Sequence, residues 1–359
     1  MANNRKKDQL GSGQTEVNGK ENAVNYTHKK KNLPNIQKLE HYVLQSIIGQ
    51  NKQVRQIITA IYRSREFKSI KTNTLIVGSS GTGKTATIKE IADYLHIPYT
   101  IEDATKYTQE GYYGCDVQDM IYNLIDSANG DLELAKYGMI IVDEIDKKAG
   151  NHEEHDVSGV EVLKSLLKII EGTKMKIQLD TDFIEENGMT EFDTKNITIV
   201  FLGAFSGLDK IRDKRLNTNQ LGFLSNKNAK EVTDKFIKED LIKYGMPEEF
   251  VGRIDNIIEM NKLSKEDLAT ILKKSKLSIF RRYQSELKQR GILLLYDDKI
   301  FEAIAEQSLA LDTGARELSN TVNYMFENIL YDILSYPGRY KKCELYMDIV
   351  KDNTKYKLS

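Results

Sequence analysis

Three short stretches of the chain carry no charge and are mostly aliphatic: Thr74–Val77 (TLIV), Met139–Val142 (MIIV) and Asn196–Leu202 (NITIVFL). A strand flanked by core on both faces reads this way, so they predict the buried strands of a parallel sheet. His96–Ile101 is a fourth candidate strand. Between them the apolar spacing turns helical. Asn51–Phe67 places Val54, Ile57, Ile58, Ile61 and Tyr62 on one face and reads as a capped helix. Ile88, Ile91, Ala92 and Leu95 form a second such face, Val117–Asn129 and Gly130–Tyr137 two more, and Val157–Gly172 another through Val162, Leu166, Leu167 and Ile170. Strands alternating with helices predict an α/β fold. Lys174–Lys195 alternates like a hairpin, Gly207–Asn228 reads as a polar loop broken by Leu221-Gly222-Phe223, and Ala229–Tyr244 is helical.

Past Asn256 the pattern changes. A long helix is expected from Ser264, its cap, to Leu287, followed by helices over Asp298–Ser308 and Ala315–Leu334 and a closing strand at Glu344–Val350. The chain thus divides into a polar tail (1–35) expected to be disordered, a large α/β domain (36–255), a small helical domain (256–352) and a short tail (353–359).

Composition narrows the function. At 359 residues, with 40% apolar and 29% charged residues, the chain can bury about two cores. A net charge of −1 provides no basic field, which makes nucleic acid an unlikely partner. Cys115 and Cys343 form no C-x-x-C pair, and His152 and His155 lack metalloprotease spacing, so no zinc site is expected. No signal-peptide core and no run of 18 apolar residues is present, so no membrane association and a cytoplasmic location are expected.

The chemistry lies at two strand ends. TLIV runs into Gly78-Ser79-Ser80-Gly81-Thr82-Gly83-Lys84-Thr85, a full G-x-x-x-x-G-K-[ST] motif between a strand and a helix. Its glycines let backbone N–H groups curl around a phosphate at a helix N-terminus. Lys84 reaches the β- and γ-phosphates and Thr85 coordinates Mg²⁺. MIIV ends in Asp143-Glu144-Ile145-Asp146. At the C-terminal end of a parallel strand, Asp143 becomes a ligand of Mg²⁺ and Glu144 orients and deprotonates the attacking water. Ile47 and Ile48, ahead of a helix, fit either an adenine pocket or plain core. Gly111-Tyr112-Tyr113-Gly114 fits a protruding loop or a turn whose tyrosines fold inward.

The ordered set IIGQ (Ile47–Gln50), GSSGTGKT, EGYYGCDV (Glu110–Val117), IIVDEIDK (Ile140–Lys147), DVSGVEV to LLKIIEGT (Asp156–Thr173), GAFSGLDKI (Gly203–Ile211), EDLIKYGMPEEFVGRI (Glu239–Ile254) and TGARELS (Thr313–Ser319) resembles the ClpX family of AAA+ unfoldases from about Leu39 to Ile349. The resemblance implies an AAA+ P-loop domain with a parallel sheet plus a small, mainly helical C-terminal domain, assembled as a homo-hexamer. It implies an ATP-dependent unfoldase and translocase that threads unfolded or tagged proteins through an axial pore into a ClpP-type peptidase. By resemblance Ile47 and Ile48 line the adenine pocket and Arg253 is an arginine finger for a neighbouring subunit. Arg316 is the sensor-2 arginine, Gly111–Gly114 the first pore loop and Lys148–Ser158 a second, and Leu221-Gly222-Phe223 the peptidase-docking tripeptide.

Three features depart from the family pattern. The family's zinc-binding N-terminal domain is replaced by the polar tail, and the place of its basic loop (Lys174–Thr194) carries Asp180, Asp182, Glu185, Glu186 and Glu191. The end of NITIVFL offers no clear sensor-1 residue. HslU shares the aromatic pore motif but carries a large insertion between the acidic strand and the next, where this chain has only a helix and a hairpin. A stand-alone remodelling ATPase without a protease is the alternative reading. A nucleic-acid motor is disfavoured by the charge, and a non-hydrolysing switch by Glu144, Arg253 and Arg316.

Overall fold

Successive side chains of a strand point to opposite faces, so an uncharged strand can serve two cores at once. Leu75, Val77, Ile140, Val142, Ile199 and Phe201 pack into one core. Ile76, Ile141, Val200 and Leu202 pack into another on the opposite face. The computed structural model describes residues 33–67, 72–107, 117–150, 157–178, 189–222, 234–310 and 314–359, with Leu33–Ser359 forming one compact unit.

The first part of the chain runs α1 (Ile36–Val43), α2 (Asn51–Glu66), β1 (Thr74–Val77), α3 (Lys84–Leu95), β2 (Tyr99–Asp103), α4 (Asp119–Ser127), α5 (Leu132–Ala135) and β3 (Met139–Asp143). It continues through α6 (Val157–Glu171), β4 (Lys174–Gln178), β5 (Met189–Asp193), β6 (Thr198–Gly203), α7 (Leu208–Gly222), α8 (Lys238–Tyr244), α9 (Glu248–Gly252) and β7 (Asn256–Glu259). Five of these strands form a parallel sheet in the order β2-β3-β6-β1-β7. Helices α1, α2 and α3 cover one face; α4, α6, α8 and α9 cover the other. β4 and β5 form the expected antiparallel hairpin.

The remainder is α10 (Lys265–Lys274), α11 (Ile279–Gln289), β8 (Leu293–Leu295), α12 (Lys299–Ala310), α13 (Ala315–Ser335), β9 (Lys342–Leu345) and β10 (Tyr356–Leu358). Its core is separate, centred on Phe280, whose ring meets those of Tyr296, Phe301 and Phe326 edge-on.

Several expectations are corrected. Residues 256–259, assigned to the helical domain, form an edge strand of the large sheet, with Asn256 to Glu259 paired to Thr74 to Val77. The expected tail contains β10, which pairs with β9. The closing strand is Lys342–Leu345, and Met347–Val350 is a 3-10 turn. His96 adopts φ 52° at the end of α3, so the second strand starts at Tyr99. Gly207–Asn228 is not a loop through its first part: residues 208–222 form a helix, and Leu208 is buried in the core. The long helix from Ser264 is two helices. Ser264 caps the first as expected, in a capping box with Asp267. Ser275 then leaves the helix at ψ 139°, and Ser278 donates to the Leu272 carbonyl (2.6 Å) while accepting from the Arg281 N–H. Both serines bond to backbone, which competes with helix continuation in a way apolar spacing cannot reveal.

One ion pair joins α7 to α8. Arg215 grips Asp240 with two hydrogen bonds, of 2.9 and 3.0 Å, and Asp240 has no exposed surface. Arg215→Ala would strand that carboxylate in the interior, with an expected loss of about 3 kcal/mol in urea unfolding. A loss below about 1 kcal/mol would mean that other contacts hold the two helices together.

Candidate active site

The turn after β1 curls because Gly81 and Gly83 take φ values of 76° and 92°, open to glycine and strained for other residues. Thr82 Oγ1 donates to the Ser79 carbonyl (2.9 Å) and closes the turn. A Cβ built on Gly83 meets no atom within 4 Å, so the hollow over the loop is open; one built on Gly78 would lie 2.8 Å from the Met260 Cβ. Helix α3 starts at Lys84, its N-terminus facing the hollow. Lys84 Nζ donates to the Gly78 and Ser79 carbonyls at 2.6 and 3.1 Å. Thr85 Oγ1 donates to Asp143 Oδ2 at 3.0 Å, which brings the two residues expected to share Mg²⁺ into contact.

Asp143 ends β3, and the chain reverses at Glu144, a non-glycine residue at φ 56°. The Glu144 N–H donates to Asp143 Oδ1 (2.9 Å), and its side chain is exposed. Asp146 has a role that its sequence position did not disclose. Its buried carboxylate accepts the N–H groups of Ala204 (3.2 Å) and Phe205 (3.1 Å) and so fixes the end of β6 against the acidic turn. Gly203 is needed there, because a Cβ would stand 2.5 Å from the Phe205 ring.

The helical part closes over this turn. Gly314, at φ 60°, lets α13 start so near the loop that a Cβ on it would sit 2.8 Å from the Ser80 carbonyl. The Ala315 N–H donates to the Gly81 carbonyl (3.2 Å). Arg316, the next residue, acts electrostatically on Lys84. The broken helix lends its gap to the same region: Ser275 Oγ donates to the Ser46 carbonyl (2.6 Å) and the Lys276 N–H to the Gln45 carbonyl (3.1 Å). Between these contacts lies a cleft of about 160 Å³ lined by Ile47, Ile48, Gly83, Ala86, Leu277 and Ile279. Helix α2, expected to be capped, has no side-chain cap: the side chain of Gln50, at its N-cap position, bonds instead to Thr82 and Asn261.

Arg253 stands elsewhere. Its Nε donates to Glu171 Oε1 at 2.9 Å on an exposed surface, and its carbonyl accepts from Asn73 Nδ2. Asn73 precedes β1, whereas the phosphate turn follows it, so the strand separates Arg253 from its own loop by about 13 Å. The segment Gly111–Gly114 with Tyr112 and Tyr113, Phe223, His152 and His155 lie outside the described residues; Leu221 and Gly222 end α7. Among the described residues no group of three His, Cys, Asp or Glu side chains could hold a metal, and no helix is long and apolar enough to cross a membrane.

A parallel sheet carrying a phosphate turn and an acidic strand end, with a helical unit docked on that turn, defines an ATPase of the AAA+ class. Residues 69–257 match the family described as AAA domain (Cdc48 subfamily), and residues 263–343 match the C-terminal D2-small domain of ClpB protein. The chain is 36% identical over 330 residues to the ATP-dependent Clp protease ATP-binding subunit ClpX of Treponema denticola, covering 86% of this chain and 79% of that protein. It is 36% identical to the ClpX of Borrelia duttonii over 84% of this chain and 75% of that one. For ClpX 2 of Wolinella succinogenes the identity is 34% over 85% and 79%. The chain belongs to the ClpX family.

Burial pushes the Lys84 ammonium below the ordinary lysine value of 10.5; Asp143 and Asp146 pull it back up, and Arg316 pushes it down. A lysine whose pKa is lowered on folding costs stability wherever both states are charged, and the cost fades as pH rises towards the unfolded value. Lys84→Met should therefore melt no lower than the parent at pH 7, with any gain shrinking towards pH 10. Its affinity for ATP should fall about 10–100-fold. A variant that melts well below the parent at pH 7 would show that the two carbonyl bonds outweigh the burial cost.

Proposed function

We propose that this AAA+ ATPase is a cytoplasmic protein unfoldase and translocase that works as a homo-hexamer and delivers polypeptides to a ClpP-type peptidase. The observation that carries the reading is the direct bond from the helical part to the phosphate turn, Ala315 N–H to the Gly81 carbonyl. A change at the nucleotide can then alter the angle between the two parts, which is what a translocating ring requires. The names of the relatives supply the protease context.

The residues fit ATP and Mg²⁺. Loop N–H groups, the α3 N-terminus and Lys84 would hold the phosphates, and the apolar cleft at Ile47 and Ile48 would take the base. The touching Thr85 hydroxyl and Asp143 carboxylate would hold the metal. The bound cation would neutralise charge building on the transferred phosphoryl oxygens. Glu144 would orient a water and accept its proton, and Arg316 would add charge from the helical side. Arg253 would serve the nucleotide of a neighbouring chain, since it lies at the far end of β1 from its own loop. Tyr112 and Tyr113 would grip the substrate, and Leu221-Gly222-Phe223 would dock on the peptidase. With Glu144 intact, hydrolysis is expected; Glu144→Gln should bind ATP and lose turnover by at least about 100-fold.

Binding to a ClpP-type barrel tests the protease role. The parent should bind in an ATP-dependent manner, and Phe223→Ala should not bind although its ATPase activity is intact. An active ATPase that never engages the barrel would instead be a stand-alone remodeller.

A further inference from the structure

The phosphate turn has a second, outward-facing side. The described chain has no cis peptide, and in a trans peptide the N–H and C=O of one plane point in opposite directions. The Gly81 carbonyl is turned towards Ala315, so the Thr82 N–H of that plane points the other way. The Thr82 carbonyl is turned towards Gln50, so the Gly83 N–H does likewise. In each of the two adjacent planes the N–H thus points away from the partner that holds the carbonyl, Ala315 in one and Gln50 in the other.

Gln50 is fully buried, and both donors of its side-chain amide are in use. Its amide Nε2 donates to the Thr82 carbonyl (3.2 Å) and to the Asn261 carbonyl (2.9 Å), and its Oε1 accepts the Asn261 N–H (2.9 Å). Asn261 lies in the connection between β7 and α10. Its side chain is held too, through Oδ1 by Gln53 (2.8 Å) and through Nδ2 by the Gly49 carbonyl (3.0 Å). The connection therefore cannot shift at Asn261 without disturbing Gln50, nor Gln50 without disturbing the phosphate turn.

We propose that Gln50 is a positioning residue that transmits the state of the phosphate turn to the interdomain connection at Asn261. A group accepting from the Gly83 N–H polarises the same peptide plane whose oxygen Gln50 holds, and hydrogen bonds in a buried chain strengthen one another. Phosphate contact tightens the clasp on Asn261; its loss loosens it. Ala315 meets the turn through a bond of its own, so the turn touches the helical part at a second point. This rests on the ATP-driven domain movement proposed above, and it adds a named route for it.

The test is hydrogen–deuterium exchange of the full chain with and without ADP and Mg²⁺, alongside fluorescent-ADP binding. In the parent, nucleotide should slow exchange at least about fivefold both at residues 260–264 and at the first turn of α13. Gln50→Met keeps the length and removes every polar atom. Compared at ADP concentrations that saturate each protein in the fluorescent assay, it should keep the α13 protection but lose the nucleotide-dependent protection at 260–264. Protection at 260–264 that persists in Gln50→Met would overturn the inference. So would a parent chain that binds ADP without slowing exchange there, a result that needs no variant. A parent that binds no ADP would overturn the nucleotide-driven reading itself, which separates the two failures.

Discussion

A phosphate turn must keep its inner face free for a ligand, yet the two carbonyls on its outer face need donors. In this chain both come from distant segments: the Ala315 N–H for Gly81 and the Gln50 amide for Thr82. That requirement explains much of the surrounding architecture. Gly314 must take φ 60° so that α13 can approach the loop, and Asn261 must be gripped so that the chain leaves the sheet in the right direction. The gap at Ser275–Ser278 follows from the same closure, because only a broken helix can give its serine hydroxyl and backbone N–H to Ser46 and Gln45.

The acidic side is organised on the same principle with different atoms. Asp143 faces Thr85, while Asp146 turns inward and holds two backbone N–H groups at the end of β6. Between them Glu144 sits at a positive φ that carries its side chain outward. Two carboxylates three residues apart therefore do opposite jobs. One meets the nucleotide side and the other sets the distance between neighbouring strand ends.

Much of this was legible in the sequence because its causes are local. The glycine spacing of the phosphate turn, the uncharged strands and the Ser264 cap each depend on a few consecutive residues, and each lies where it was expected. What was missed depends on partners far along the chain. Gln50 meets Asn261 across 211 positions, and Ser275 meets Ser46 across 229. Edge strand β7 is short and ends in a glutamate, so periodicity gave no sign that it joins β1. Helix α7 was hidden by its polarity: Asp209, Lys210, Asp213 and Lys214 face solvent, Arg215 is turned to Asp240, and Leu208 is buried with Ile211 packed beside it.

Arg253 carries a consequence of another kind. Its partner in the single chain is Glu171, exposed like itself, and such a pair contributes only about 0–1 kcal/mol. If Arg253 is the finger of the proposed reading, a side chain held so weakly is released at little cost when a better anion is presented. That anion would be a neighbour's, because Arg253 lies at the far end of β1 from its own loop. On the proposed reading, hydrolysis then belongs to the assembly and not to the polypeptide. Dilution alone would silence the enzyme without unfolding it, and a few subunits lacking this arginine would impair neighbours that are themselves intact.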